Sequence, residues 1–103
     1  MAIDDESRTR AMQIARNLVE GRIGALEAAR ALLPLLHADP TLMLPEDRAA
    51  LIGIDSETDD LPVGRIREEW HPDVLLEKDK EIERYEKRYS VQVRSICKRI
   101  IQN

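Results

Sequence analysis

At 103 residues the chain is the length of one domain, and a chain of this size buries roughly 65% of the surface its unfolded form exposes, enough for one modest core. Hydrophobic residues make up 43% and charged residues 35%, well above the ~25% charged of an ordinary globular domain; with Leu, Ile and Val recurring at regular steps, that mixture excludes disorder and suits amphipathic helices. Aromatics are only Trp70, Tyr85 and Tyr89 and the net charge is −4, which leaves little for stacking on nucleic-acid bases, disfavours a phosphate backbone and leans toward a basic partner.

The first helix is expected from about Asp5 to Glu20, with Asp4, Asp5 and Glu6 complementing the dipole at its start. Ala11, Met12, Ala15, Leu18 and Val19 share one face, and Gly21 ends the helix. A second helix is expected from about Gly24 to His37. Leu26, Ala29, Leu33 and Leu36 form its stripe, widened by Ala25, Ala28, Leu32 and Leu35, so it is buried against more than one neighbour. Pro34 inside this pattern should kink the helix or end its regular part.

Residues 38–44 are a connector. Pro45 suits the first position of a third helix with Glu46 and Asp47 in its acidic first turn; Ala50, Leu51 and Ile54 face inward, and the helix ends near Ser56 or Glu57. The segment from Asp55 to Gly64 is the least helical, followed by one short helical turn with Ile66 and Trp70. Pro72 opens the last helix, placing Trp70 just before the cap and Leu75 at the fourth helical position, the pairing of a hydrophobic staple. Leu75, Ile82, Tyr85, Tyr89, Val93, Ile96 and Ile100 then lie on one stripe. A helix of about 30 residues is roughly 45 Å long, so part of it should project or meet a second protein. The expected fold is all-α: a single domain over 1–103, a small bundle of about four main helices with a long C-terminal one.

Chemistry-bearing clusters are sparse. Asp55, Glu57 and Asp59 alternate as calcium-loop ligands do, and Asp60 follows. The sixth position of such a loop needs Gly and holds Asp60, and the twelfth needs Glu and holds Ile66. The cluster therefore reads as a solvated turn or as a docking surface for a basic partner. His37 and His71 lack the companions of a metal motif. Cys97, the only cysteine, excludes an intramolecular disulfide and sits beside Ile96, Ile100 and Ile101, an apolar setting that makes a thiol inert. None of the seven serines and threonines lies in a nucleophile elbow, and the four glycines form no phosphate loop. No catalytic residue, metal or cofactor is expected. Glu77 to Arg88 holds ten charged residues in twelve, which reads as a solvated helix with internal pairs such as Glu83–Lys87, or as a frame that presents Ile82 and Tyr85 as a narrow exposed stripe for a partner helix. Trp70 is either a packed staple or an interface anchor.

The run Ser56-Glu-Thr-Asp59, Leu61-Pro-Val-Gly64, Trp70 and Lys78-Asp-Lys-Glu-Ile82 resembles a family of small uncharacterised bacterial helical proteins with no assigned activity. The similarity extends from Gly24-Ala-Leu-Glu-Ala-Ala-Arg30 to Cys97. It implies a bacterial source and a toxin-neutralising immunity protein; it carries over no functional residue. The acidic N-terminus lacks a signal-peptide core and no stretch is long enough to span a bilayer, so a cytoplasmic protein is expected.

The leading expectation is a non-enzymatic protein-binding module that neutralises a partner by stoichiometric binding through Asp55, Glu57, Asp59, Asp60, Trp70, Ile82 and Tyr85. Neither nucleic acid nor membrane is an expected partner. The alternatives are a homo-oligomeric structural or regulatory protein, a homodimer built on the last helix, and a small enzyme. Millimolar calcium or zinc should leave the melting temperature unchanged; a saturable rise of several degrees in a thermal scan would contradict this, since a ion bound only by the native state must stabilise it.

Overall fold

Acidic helix starts and aliphatic periodicity become four α-helices in a computed structural model, which describes residues 5–102. They are α1 (Asp5–Val19), α2 (Ala25–Ala38), α3 (Pro45–Thr58) and α4 (Pro72–Gln102), with short 3-10 segments at Pro40–Leu42 and Gly64–Glu69. No strand occurs among the described residues. Asp4, expected in the acidic start of α1, lies outside them.

α1 buries Ser7, Ala11, Ala15 and Leu18. Three small side chains four residues apart let neighbouring backbones approach closely. The helix stops at Gly21, whose φ of 81° is open to glycine at little cost. There the Gly21 amide donates to the Leu18 carbonyl at 3.0 Å and the Arg22 amide to the Asn17 carbonyl at 2.8 Å, the paired bonds of a Schellman motif.

α2 is the hub, packing against α1, α3 and α4. It buries Ala25, Leu26, Ala28, Ala29, Leu32 and Leu36, the wide face expected of a helix with several neighbours. Its helix continues past Pro34 to Ala38, so the expectation that proline ends the regular part is corrected. The ring stands on the exposed side, where it displaces no packing, and the Arg30 carbonyl one turn back simply lacks that amide donor. Asp39 then starts the 3-10 turn, its Oδ1 accepting from the Thr41 amide at 3.0 Å and the Thr41 hydroxyl at 2.5 Å. Its Oδ2 is buried without a hydrogen-bond partner, and nothing in the structure explains this.

α3 carries Pro45 at its start and buries Asp47, Leu51, Ile54 and Thr58. It runs to Thr58, so Asp55, Ser56 and Glu57 are helical, not part of an irregular segment. The reason is tertiary. The Arg30 guanidinium donates to the Thr58 carbonyl at 2.6 Å and the Leu61 carbonyl at 2.8 Å, a cation satisfying the orphan acceptors at a helix C-terminus.

α4 begins where expected. His71 is its cap: Nδ1 accepts from the Asp73 amide at 3.2 Å, and the His71 carbonyl accepts from Val74 and Leu75 at 3.0 Å each. Its 31 residues span about 46 Å, close to the molecule's longest extent of 49 Å. Only Val93, Ile96, Cys97 and Ile100 are fully buried; Ile82, Tyr85 and Tyr89 pack on the core edge. A bidentate ion pair ties the last turn to α3, with Arg99 Nε and Nη2 each 2.8 Å from Asp47. The buried cluster contains no aromatic ring, as the composition requires.

Burial pushes the Cys97 thiol up to about 12. Folded protein at pH 8 should therefore react with a thiol reagent only at its rate of opening, and rapid labelling would contradict the burial. Linkage sets the sign. The thiol's contribution is complete below its ordinary value and is lost as pH rises from there toward 12, because the unfolded thiol ionises first. Cys97→Ala should lose about 1 kcal/mol in denaturant unfolding.

Candidate functional site

The end of α3, the Gly64–Glu69 turn and the first half of α4 meet around the N-terminus of α2. Gly24 is the N-cap of α2 and has no side chain to serve the free amides. Glu86, sixty residues away on α4, serves them instead: Oε2 accepts from the Ala25 amide at 2.8 Å and Oε1 from the Leu26 amide at 2.9 Å. A carboxylate held by two backbone donors at a helix N-terminus has both its hydrogen bonds and the dipole in its favour. A Cβ on Gly24 would lie 2.8 Å from Glu86 Oε1, so a side chain here would push the capping carboxylate aside.

The turn above is fastened in the same way. Arg67 grips Asp79 of α4 through two bonds of 2.6 and 3.1 Å and also donates to the Pro62 carbonyl at 3.2 Å. The hydrogen bond to Arg67 holds the Asp79 carboxyl below its ordinary value, and the same bond raises Arg67. Between these fastenings lies a cleft of about 340 Å³ lined by Gly24, Glu27, Val63, Gly64, Ile82 and Glu86, with Arg67 at its edge.

The residues expected to bind a partner divide into two groups. Asp55 forms an ion pair with Arg30 at 3.5 Å, and Glu57 accepts from the Tyr89 hydroxyl at 2.6 Å and from Arg88 at 3.3 Å. That bond to Glu57 raises the Tyr89 hydroxyl above its ordinary value. Both carboxylates are thus engaged within the fold. Asp59 and Asp60 are exposed and make no such bond among the described residues. Ile82 and Tyr85 do not form a free stripe. Ile82 lines the cleft and Tyr85 stacks on Tyr89 at 6.3 Å between ring centroids, because both share the face that buries Val93 and Ile96.

Trp70 is half-buried, outside the main core, as is Leu75. In the same stretch of chain Ile66, Val74 and Leu76 are 48%, 43% and 67% exposed. His37 and His71 are exposed, and among the described residues no group of three or more His, Cys, Asp or Glu side chains could hold a metal ion. Glu86, Arg30 and the Arg67–Asp79 pair escaped the sequence reading. Only the first left a signal, a bare glycine cap ahead of a strongly apolar helix. The chain matches no family model, no curated protein and no solved structure, so function is read from its own residues.

The Gly24–Glu86 contact predicts a change of sign. Glu86→Ala should cost about 1–2 kcal/mol, the usual cost of a lost cap. Gly24→Ala should destabilise the native protein, yet become neutral or stabilising by about 0.4–1 kcal/mol once Glu86 is alanine, because the backbone there suits any residue. A double-mutant cycle by urea unfolding measures this; additive effects would contradict it.

Proposed function

We propose that the chain is a protein-binding module that captures a partner protein stoichiometrically, the mode of action of toxin-neutralising immunity proteins. The observation that carries the reading is the exposure of Ile66, Val74 and Leu76 close in the chain to the half-buried Trp70, at the start of α4. Several large apolar side chains exposed within a short stretch of chain, on a segment locked to a long helix by Arg67–Asp79, suit an interface. Tryptophan is the residue type most enriched among interface anchors.

Charge supports a basic partner for this stretch. From Asp59 to Glu77 the chain has six acidic residues and two basic ones, and Arg67 is already paired. Asp59 and Asp60 would steer the encounter, chiefly through the association rate, while the apolar side chains would set the dissociation rate. The stoichiometric reading needs no reacting group. The only cysteine is buried, His37 is exposed on the surface and His71 is engaged as the cap of α4.

With the partner isolated by affinity capture, Trp70→Ala and Leu76→Ala should each weaken binding by about tenfold or more, about 1.4 kcal/mol or above, with little change in melting temperature. Asp59→Asn with Asp60→Asn should slow association at low salt and leave dissociation unchanged. Undiminished binding by all of these variants would contradict the reading.

A further inference from the structure

We propose that the outward face of α4 is a second docking surface, built to receive an acidic helix of a partner protein. Lys80, Arg84, Lys87, Val91, Arg94 and Lys98 follow one another at steps of four, three, four, three and four residues. At 100° per residue they fall within an arc of about 80°, opposite the side that buries Val93, Ile96 and Ile100. All six are exposed. Val91, in their midst, is 75% exposed, the most of any large apolar side chain described.

Of the six acidic residues of α4, three are committed away from the stripe. Glu86 caps α2, Asp79 holds Arg67 and Glu81 pairs with Lys78 at 3.3 Å. Of the stripe's five cations, only Lys87 has a partner among the described residues, Glu83 at 3.6 Å, and that pair is well exposed. Clefts flank the stripe on both sides. One, of about 300 Å³, is lined by Arg84, Tyr85 and Arg88; the other, of about 250 Å³, joins Val91 and Arg94 to Leu18 and Ile23.

The repeat selects the occupant. Steps of four and three residues place one side chain of the stripe every ~5.3 Å along a straight helix, the repeat at which a second helix presents its own side chains. Carboxylates at the same steps would face the cations, with one apolar side chain against Val91. A second copy paired antiparallel by a two-fold axis would set cations against cations, Lys80 against Lys98 and Arg84 against Arg94, which is repulsive. An anionic membrane would find Val91 alone to bury. Duplex nucleic acid would meet a chain on which, the stripe's five cations set aside, eleven basic residues face twenty acidic ones. Leu76, one turn before Lys80, falls on the same arc of α4, and the two surfaces are tested separately.

The probe is a helical peptide of about 20 residues with glutamates at alternating steps of four and three and a central leucine. It is titrated against the full chain by fluorescence anisotropy, beside a DNA duplex of similar length and phosphatidylserine vesicles. The peptide should bind more tightly than either. Its affinity should fall at least tenfold when Lys80, Arg84, Arg94 and Lys98 are all changed to Gln, with the helical circular-dichroism spectrum retained. Val91→Asp alone should weaken it severalfold, and raising salt should weaken binding to the wild type. Peptide binding that is absent, or insensitive to salt and to Val91→Asp, overturns the proposal. So does tighter binding to duplex or vesicles, or a dimer in light scattering that the four changes dissolve.

Discussion

The packing of α2 depends on one borrowed carboxylate. This helix touches all three others and is apolar around most of its surface, and the first two residues of its N-terminal turn, Ala25 and Leu26, are buried. Buried amides without acceptors cost about 1–3 kcal/mol each. Gly24 offers no acceptor, and Glu86 supplies two from the far part of the chain. The same contact fixes the rotation of α4, since Glu86 can face α2 only if Val93, Ile96 and Ile100 face the core and Lys80, Arg84 and Val91 face outward. Core, clasp and outer face are consequences of one helical orientation.

Arg30 and Arg67 repeat the logic at other irregular joints. One closes the C-terminus of α3 through the Thr58 and Leu61 carbonyls; the other braces the Pro62 carbonyl and Asp79. A small aliphatic core gains modest burial energy, and aromatic rings to fill it are lacking. Long-range hydrogen bonds from charged side chains to loop backbone give the connections a single conformation. The segment bearing Trp70 is therefore presented from a braced frame, not from a free loop.

Much of the fold was legible in the sequence, for physical reasons. Pro72 followed by Asp73, then an aliphatic stripe at helical spacing, reads as one long helix because propensity, capping and burial agree. Cys97 among isoleucines was legible as buried. Ser56 and Glu57 were misread as the end of α3 because local preference speaks for a turn, while the Arg30 guanidinium extends the helix to Thr58. Pro34 does not end α2, because a proline ring on the solvent side disturbs no packing. In the candidate site, Asp59 and Asp60 are exposed and Trp70 is half-buried, whereas Asp55 and Glu57 are engaged within the fold. The ten charges between Glu77 and Arg88 look uniform as composition. Only the orientation of α4 sorts them into a clasp, a brace and a basic stripe.

Amide hydrogen exchange at Ala25 and Leu26 tests the clasp most directly. In the native protein both amides should be protected, although each lies in the first turn of a helix, where exchange is ordinarily fast. In Glu86→Ala, protection at these two positions should collapse while amides in the middle of α1 and around Val93 stay protected. Equal exchange at Ala25 and Leu26 in both proteins would show that Glu86 does not hold α2, and would contradict the account.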